Sequence, residues 1–461
     1  MALINTKYFL NARTLKLSFG NVISQLIPFL LMPILTRLYS PIEFGGLAIF
    51  VSLSLVLSEF VTGKYELAIL LPKKEETAIQ LAQATIGFNF ICSFLLFLAI
   101  LILKNPILRI LDIQYSIGNW IYFLPLVVFF NGLYEIYKDY SLRVHAYNKI
   151  TKSFIERAIS NNLSQLVFGV IKFTSNGLIL GKIFSSLISN IEVAIVYFKR
   201  KSKYLIKGYD FKNSIILLKE YRDFPAYSMP SSVLTTLSFQ LILISIPILF
   251  TNSIAGYYLL AQRILNIPTS IVGTSMRQVY FKDFSEMGKD LKALQLKTWE
   301  LLKKLLLFGA IPTCIVIAAG PFLFRLCFGQ EWTIAGKYAQ ILSFWYLLIF
   351  ITGPISSLLI VLRKQKQALI FQAISIILKT GLIILCFILK FSIEKTLILF
   401  SILSSLLLTS YLVYIFNLIK LNFAKLSTYL IRFFTILIIV TYGFKLVFDY
   451  LIIPLFYAST T

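Results

Sequence analysis

The chain has 461 residues, of which 58% are hydrophobic and only 14% charged, and its formal net charge is +24. Its mean hydropathy of +0.82 leaves too few polar residues to cover a soluble protein of this length. The composition therefore excludes a soluble globular domain and predicts an all-α polytopic membrane protein, in which apolar helices of about 20 residues face lipid.

Thirteen membrane-spanning helices are predicted in chain order. They cover 17–38, 42–62, 79–103, 119–141, 152–173, 176–198, 225–250, 254–280, 297–320, 335–361, 366–389, 395–418 and 430–457. Basic residues Lys7, Arg13 and Lys16 precede the first apolar segment, and no small-residue cleavage site follows, so we expect no cleaved signal peptide.

The positions of lysine and arginine support this topology. With the N-terminus in the cytoplasm, 30 of the 44 lysines and arginines fall in cytoplasmic segments and 7 on the opposite side. This asymmetry follows the positive-inside rule, and basic loops against anionic lipid account for the net charge. Nucleic-acid binding is not implied, because no basic stretch lies in a soluble domain.

The longest polar stretch divides the chain near its middle. We predict an N-terminal six-helix bundle over 1–198, a cytoplasmic linker over 199–223, a C-terminal six-helix bundle over 224–418 and an extra transmembrane segment over 419–461. The linker contains KNSIILLKEYR, which is typical of an amphipathic surface helix. The stretch 37–50 resembles 249–262 at a shift of about 211 residues, which places Gly45 on Gly256 and predicts a pseudo-twofold axis along the membrane normal.

No pattern in the chain indicates a metal, a cofactor or a catalytic residue. Its cysteines lie in apolar surroundings without metal-ligand spacing and are interpreted as buried small hydrophobes; they are Cys92, Cys314, Cys327 and Cys386. His145 is the single histidine, which excludes a histidine-rich metal site.

Several stretches resemble bacterial Wzx-type polysaccharide biosynthesis proteins. They are LMPILTRLYSPIEFGGLAIF, TGKYELAILLPKKEETAIQLAQ, YRDFPAYSMPSSVLTTLS, GYYLLAQRILNIPTSIVGTSMRQVYF and FGQEWTIAGKYAQILSFWY. The family belongs to the multidrug/oligosaccharidyl-lipid/polysaccharide exporter superfamily. The resemblance implies two six-helix bundles around a central cavity, alternating access, and a location in the bacterial cytoplasmic membrane. It also implies flipping of an undecaprenyl-diphosphate-linked O-antigen, capsule or exopolysaccharide unit to the periplasmic leaflet, alongside polymerase and chain-length proteins of the same pathway.

Basic residues inside the predicted spans are candidate ligands for a diphosphate. Arg263 matches an arginine of the family pattern, and an arginine at this depth costs about 2.5–3.5 kcal/mol to insert. Its planar fork can bind two phosphate oxygens at once. Further candidates are Arg37, Arg277, Lys182 and Lys379. Arg277 lies nearly four helical turns beyond Arg263 and is expected to share roughly the same face. The alternative for both lysines is pairing with each other or with an acid.

A second group of residues is expected to act in gating or packing. Lys64 and Glu66 belong to the family hallmark around YELAILLP, and Pro28, Pro33 and Pro247 are candidate bends in the lead helices of the two halves. Candidate sugar-stacking side chains are Tyr257, Tyr258 and Trp345.

Two other functions remain open. A drug or cation exporter of the same superfamily requires a buried carboxylate, and Glu59, Glu135, Asp139 and Glu192 are expected towards the cytoplasmic ends of their spans. A membrane glycan polymerase or glycosyltransferase requires catalytic acids on a sizeable extracytoplasmic loop, which the predicted topology does not provide. The prevalence of deep basic residues favours an anionic cargo, and we expect no enzymatic activity.

Overall fold

The computed structural model describes residues 12–110, 117–172, 177–204, 211–288, 290–421, 423–448 and 450, and every regular element in these ranges is helical. Two compact units divide at Gly256, the first spanning Met1–Gly256 and the second Tyr257–Thr461. The sequence instead places the division at the linker 199–223, and the four-part domain scheme stays a prediction.

The first unit contains ten complete α-helices among its described residues. They are α1 (Ala12–Leu38), α2 (Pro41–Val61), α3 (Tyr65–Ala68), α4 (Glu75–Ile110), α5 (Leu124–Arg143), α6 (Tyr147–Val170), α7 (Gly177–Ile188), α8 (Ile191–Tyr204), α9 (Phe211–Glu220) and α10 (Met229–Leu249). Helix α6 packs against α1 and α7, and α10 packs against α2. Helix α9 falls within the predicted linker, and its Leu217 is buried while Ile215 and Ile216 are exposed.

The second unit begins within the next helix. Its elements are α11 (Asn252–Leu265), α12 (Thr274–Met287), α13 (Leu291–Phe328), α14 (Thr333–Ile355), α15 (Ser357–Val361), α16 (Gln365–Ile388), α17 (Ile393–Leu418) and α18 (Phe423–Val447). Helix α14 lies between α13 and α17, and α18 packs along α13.

Local sequence explains where several helices begin. Ser40 caps α2, with Pro41 at the first helical position and the Glu43 carboxylate accepting from the Ser40 backbone N–H at 2.8 Å. Asp290 caps α13 by accepting from the backbone N–H groups of Lys292 and Ala293. These caps satisfy donors that a helix start leaves open.

Eleven helical segments in the described ranges are long and apolar enough to cross a membrane, compared with thirteen predicted spans. The other two predictions fall on α6 and on the stretch from α11 to α12, which are helical but fail this criterion. Helix α6 carries a polar series that includes Arg157, Asn162 and Gln165, and the eighth predicted span is interrupted after α11.

The predicted prolines lie in helices, but the clearest backbone break is elsewhere. Pro28 and Pro33 lie inside α1, and Pro247 lies in the last turn of α10. Within α13, Ala319 leaves the helical region with φ −133° and ψ 17°, two residues before Pro321. Proline removes one helical N–H and clashes with the preceding turn, which explains the kink.

Candidate functional site

Arg263 lies in the last turn of α11. It is half-buried, and the preceding Leu260 and Ala261 are fully enclosed. It forms no hydrogen bond or ion pair with any residue that the structure describes. Five N–H donors on an arginine without a carboxylate partner suit an anionic ligand.

The backbone beside Arg263 offsets part of the cost of its charge. Pro268 lacks an N–H, so the carbonyl of Ile264 has no helical donor, and the chain continues through a π-helical turn over Thr269–Gly273. The negative end of the α11 dipole stabilises a cation by about 0.3–1 kcal/mol. Since inserting an arginine costs about 2.5–3.5 kcal/mol, most of that cost remains uncompensated by the dipole.

The same interruption changes the expected relation between Arg263 and Arg277. The prediction that both share a face assumes a continuous helix, whereas the turn after α11 and the π-helical turn break its regular spacing. Arg277 lies on α12 and is exposed.

Lys379 has aromatic neighbours. It is 6% exposed on α16, and its Nζ lies 5.6 Å from the ring centroid of Trp345 and 5.7 Å from that of Phe400. Cation–π contacts with these two rings offset part of the cost of burying this ammonium. Lys182, the suggested partner, lies on α7 in the other compact unit.

The candidate sugar-stacking residues are engaged in packing. Trp345 is 1% exposed and contacts Phe400 edge-on at 5.4 Å, while Tyr258 is fully buried. Tyr257 packs edge-on against Trp332 at 5.9 Å. Arg37, by contrast, is exposed in the last turn of α1.

A network of seven charged side chains in the first unit was not expected from the sequence. It joins α2, α3, α5 and α6, and we refer to it as the charge network. Its members are Glu59, Lys64, Glu66, Glu135, Lys138, Asp139 and Arg157.

Lys64 connects the first two carboxylates of the charge network. Its Nζ lies 2.5 Å from Glu59 Oε2 and 3.5 Å from Glu66 Oε1, and Thr236 Oγ1 donates to Glu59 Oε1 at 3.1 Å. The residue follows Gly63, and both adopt left-handed backbone conformations with φ 59° and 58°. This tight turn leads directly into α3, which carries Glu66.

The side chains of α5 and α6 complete the charge network. Lys138 pairs with Glu135 and lies 3.8 Å from Asp139 Oδ1. Arg157 Nη2 donates to Asn131 Oδ1 at 2.7 Å, and its guanidinium lies 4.8 Å from the ring centroid of Tyr134. Polar positions at three- and four-residue spacing on the apolar helix α5 are the sequence signal for this feature.

The pKa values of two side chains in the α2–α4 connection, which lies between membrane-spanning segments, are shifted from their ordinary values. The Glu66 side chain is 3% exposed, and burial raises the pKa of its carboxyl above the ordinary value. Burial lowers the pKa of Lys64, but the neighbouring carboxylates of Glu66 and Glu59 outweigh it, and the net change is upward. Glu66 is therefore buried and incompletely compensated, while Lys64 stays cationic.

Arg143 fixes the end of the YELAILLP segment. Its guanidinium donates to the backbone carbonyls of Ile69, Leu70 and Pro72 at 3.2, 3.2 and 2.5 Å, and its Nε donates to Glu75 at 3.4 Å. The segment is also held from the other side, because Tyr65 Oη donates to the carbonyl of Leu218 on α9 at 3.0 Å.

No group of three or more His, Cys, Asp or Glu side chains within the described ranges is arranged to hold a metal ion. Cys314 and Cys386 are buried as expected, but Cys92 is only partly buried and Cys327 is exposed. His145 is exposed with φ 57°, and its Nδ1 lies 2.9 Å from Tyr147 Oη.

A family model described as polysaccharide biosynthesis protein matches residues 34–337 of the chain. No protein of curated function has significant sequence similarity to it.

Solved structures share the fold at low sequence identity. The lipid II flippase MurJ, in an inward closed conformation, is 16% identical with a TM-score of 0.65, over 97% of this chain and 99% of that one. An inward-facing multidrug resistance MATE transporter of the MOP superfamily is 11% identical with a TM-score of 0.62, over 90% and 96%. A MOP superfamily transporter from Pyrococcus furiosus, with a binding pocket of reversed polarity, is 12% identical with a TM-score of 0.55, over 88% and 95%. At such identities the likeness concerns the fold alone.

Proposed function

Because this chain belongs to the polysaccharide biosynthesis protein family, we propose that it flips an undecaprenyl-diphosphate-linked oligosaccharide from the cytoplasmic to the periplasmic leaflet by alternating access. The cargo is an O-antigen, capsule or exopolysaccharide unit. The observation that carries this proposal is Arg263, which lacks a carboxylate partner among the described residues. A diphosphate supplies the negative charge that its surroundings do not.

The other basic residues have subsidiary roles in this proposal. Arg277 is exposed on α12 and receives the head group at the cytoplasmic entrance, with Arg37 as a further contact. Lys182 and Lys379 contribute positive potential, and the ammonium of Lys379 also contacts two aromatic rings. Gating is assigned to Lys64 and Glu66, and bending to Pro28, Pro33 and Pro247.

The cellular setting is proposed on the charge asymmetry of the sequence. The protein lies in the bacterial cytoplasmic membrane with its N-terminus in the cytoplasm, because basic residues concentrate on that side. Two six-helix bundles and an extra C-terminal helix form the transporter. Polymerase and chain-length proteins that act on the same glycan are its proposed partners.

A drug or cation exporter is the second candidate, and the charge network favours it. Glu66 and Asp139 are 2% and 6% exposed, and buried carboxylates suit a cationic cargo or a coupling ion. Transport rather than catalysis is proposed, and the likeness in fold to a flippase and a multidrug transporter supports it.

The test is transport of a fluorescent undecaprenyl-diphosphate oligosaccharide in proteoliposomes. Arg263→Ala removes the proposed charge-assisted hydrogen bonds to the diphosphate of the cargo. Such bonds are worth about 1.5–3 kcal/mol, so we expect a loss of about 10- to 100-fold in transport rate. Arg263→Lys is expected to retain part of the activity. The matched control is Arg432→Ala on α18, an exposed arginine whose removal leaves transport unchanged.

Two results contradict the proposal. Full transport by Arg263→Ala at matched abundance removes Arg263 from the mechanism. No lipid transport by the unmodified protein, together with efflux of a drug cation, assigns it to the exporter class.

A further inference from the structure

The charge network carries one more carboxylate than cations. Four acids, Glu59, Glu66, Glu135 and Asp139, face three basic groups, Lys64, Lys138 and Arg157, so full ionisation leaves a net charge of −1. An uncompensated charge in a buried setting is expensive, and a carboxylate there lowers the cost by binding a proton.

Glu66 is one of the weakly compensated carboxylates of the charge network. Its Oε2 is buried and has no hydrogen-bond partner, and its cation Lys64 lies 3.5 Å from Oε1 but 2.5 Å from Glu59. Lys64 is therefore closer to a competing acid. Glu135 also lies within electrostatic range of Glu66 and opposes its ionisation. The charge of Glu66 in turn opposes the ionisation of Asp139.

The cation that fits this arrangement is a proton. A metal ion requires several oxygen ligands converging on one point, whereas the described residues contain no group of three such side chains arranged for a metal. A single buried oxygen without a donor needs only one proton.

We infer that Glu66 is a proton-binding site, and that the surrounding charge network sets the pH at which it fills. Protonation leaves the Lys64 ammonium paired with Glu59 alone. It removes the ion pair between Lys64, in the turn before α3, and Glu66 on α3. Because Glu59 also accepts from Thr236 on α10, the proton changes an electrostatic contact that spans α2, α3 and α10. A role for this proton in driving the cargo rests on the proposed function.

The site is tested without cargo on the full chain in lipid nanodiscs, by infrared difference spectroscopy between about pH 5 and about pH 8. The unmodified protein is expected to show the carbonyl band of a protonated carboxylic acid that titrates above the ordinary range of glutamate. The band is lost in Glu66→Gln. It is retained in the matched control Glu76→Gln, because Glu76 is an exposed carboxylate near the start of α4.

Two further variants report on Glu66 while leaving it in place. Lys64→Gln removes its nearest cation and moves the titration midpoint to higher pH. Glu135→Gln removes a repelling carboxylate and moves it to lower pH. Asp139 is influenced by the same Lys64 and Glu135, so Asp139→Asn is also measured. A band that survives Asp139→Asn and shows both shifts identifies Glu66 even if Glu66→Gln fails to fold. No titrating band, one that survives Glu66→Gln, or one that is lost in Asp139→Asn overturns the inference.

A transport measurement separates the two proposals. If the lipid cargo is flipped and the rate depends on pH in the unmodified protein but not in Glu66→Gln, the proton acts in transport. Flipping that is independent of pH in the unmodified protein overturns that role. An intact carboxyl band in a protein that flips no lipid overturns the proposed function and leaves the proton site standing.

Discussion

Gly45 and Gly256 lie at a reciprocal crossing between α2 and α11. A Cβ atom on Gly45 would lie 1.9 Å from the carbonyl oxygen of Asn252, and one on Gly256 would lie 1.9 Å from the carbonyl oxygen of Pro41. Each glycine thus meets the residue four positions before the other. The contact has the twofold character expected from the sequence repeat, in which Gly45 aligns with Gly256.

Substituting either glycine is expected to destabilise the protein. At 1.9 Å an added methyl group overlaps a backbone oxygen, so Gly45→Ala or Gly256→Ala forces the helices apart at a cost of about 1–3 kcal/mol. The measurement is the thermal unfolding midpoint of the purified protein. Gly443→Ala on α18 is the control, because nothing lies within 4 Å of its added Cβ, and it leaves the midpoint unchanged or raises it. Equal midpoints for all three variants would show that this crossing is not tightly packed.

Arg143 is expected to keep the YELAILLP segment ordered. Replacing it by glutamine removes donors from the carbonyls of Ile69, Leu70 and Pro72, and lost charge-assisted hydrogen bonds cost about 1.5–3 kcal/mol before solvent screening. Amide hydrogen exchange at residues 69–75 should accelerate. Arg200→Gln is the matched control, because Arg143 and Arg200 both line one cavity of about 700 Å³. Equal exchange in both variants would contradict the role of Arg143.

The raised pKa of Glu66 gives the stability a defined pH dependence. The folded protein retains a proton on Glu66 above the ordinary pKa of 4.5, while the unfolded chain has released it. Stability therefore falls as pH rises from about this value through the pKa of the folded state. Thermal unfolding midpoints measured across this range should decline less in Glu66→Gln than in the unmodified protein. Parallel curves for the two proteins would show that burial of Glu66 has no such effect.

The sequence predicts features that depend on local patterns. The start of α2 is visible in SPIE, and the equivalence of Gly45 and Gly256 is visible in the repeat. The charge network is a different case, because its contacts join distant positions. Thr236 and Glu59 are 177 residues apart, and no periodicity indicates which acid and base meet across helices.

The surroundings of Arg263 show the same distinction within one short stretch. Its depth in an apolar segment, and the Ile267–Pro268 pair that follows, are readable from the sequence. The end of α11 at Leu265 and the π-helical turn depend on tertiary packing, so the local sequence does not predict them. The aromatic contacts of Lys379 likewise come from α14 and α17, which flank it only in three dimensions.

The kink in α13 leads to a prediction about Pro321 and Gln340, which both affect the backbone carbonyl of Ile317. Pro321 has no N–H, so the carbonyl of Ile317 loses its helical donor, and Gln340 Nε2 on α14 donates to it at 2.7 Å. Gln340→Ala leaves that carbonyl unsatisfied and is expected to cost about 1–3 kcal/mol.

The cause of that cost is identified by a double-mutant cycle. Pro321→Ala restores an N–H that can donate to Ile317 once the helix straightens, so Gln340→Ala should cost less in the Pro321→Ala background than in the unmodified protein. Thermal unfolding of the four proteins measures the coupling. If the two effects simply add, Gln340 stabilises α14 by packing alone, and the kink at Ala319 does not depend on its amide. Non-additive effects show that a side chain of α14 replaces the backbone donor that Pro321 lacks.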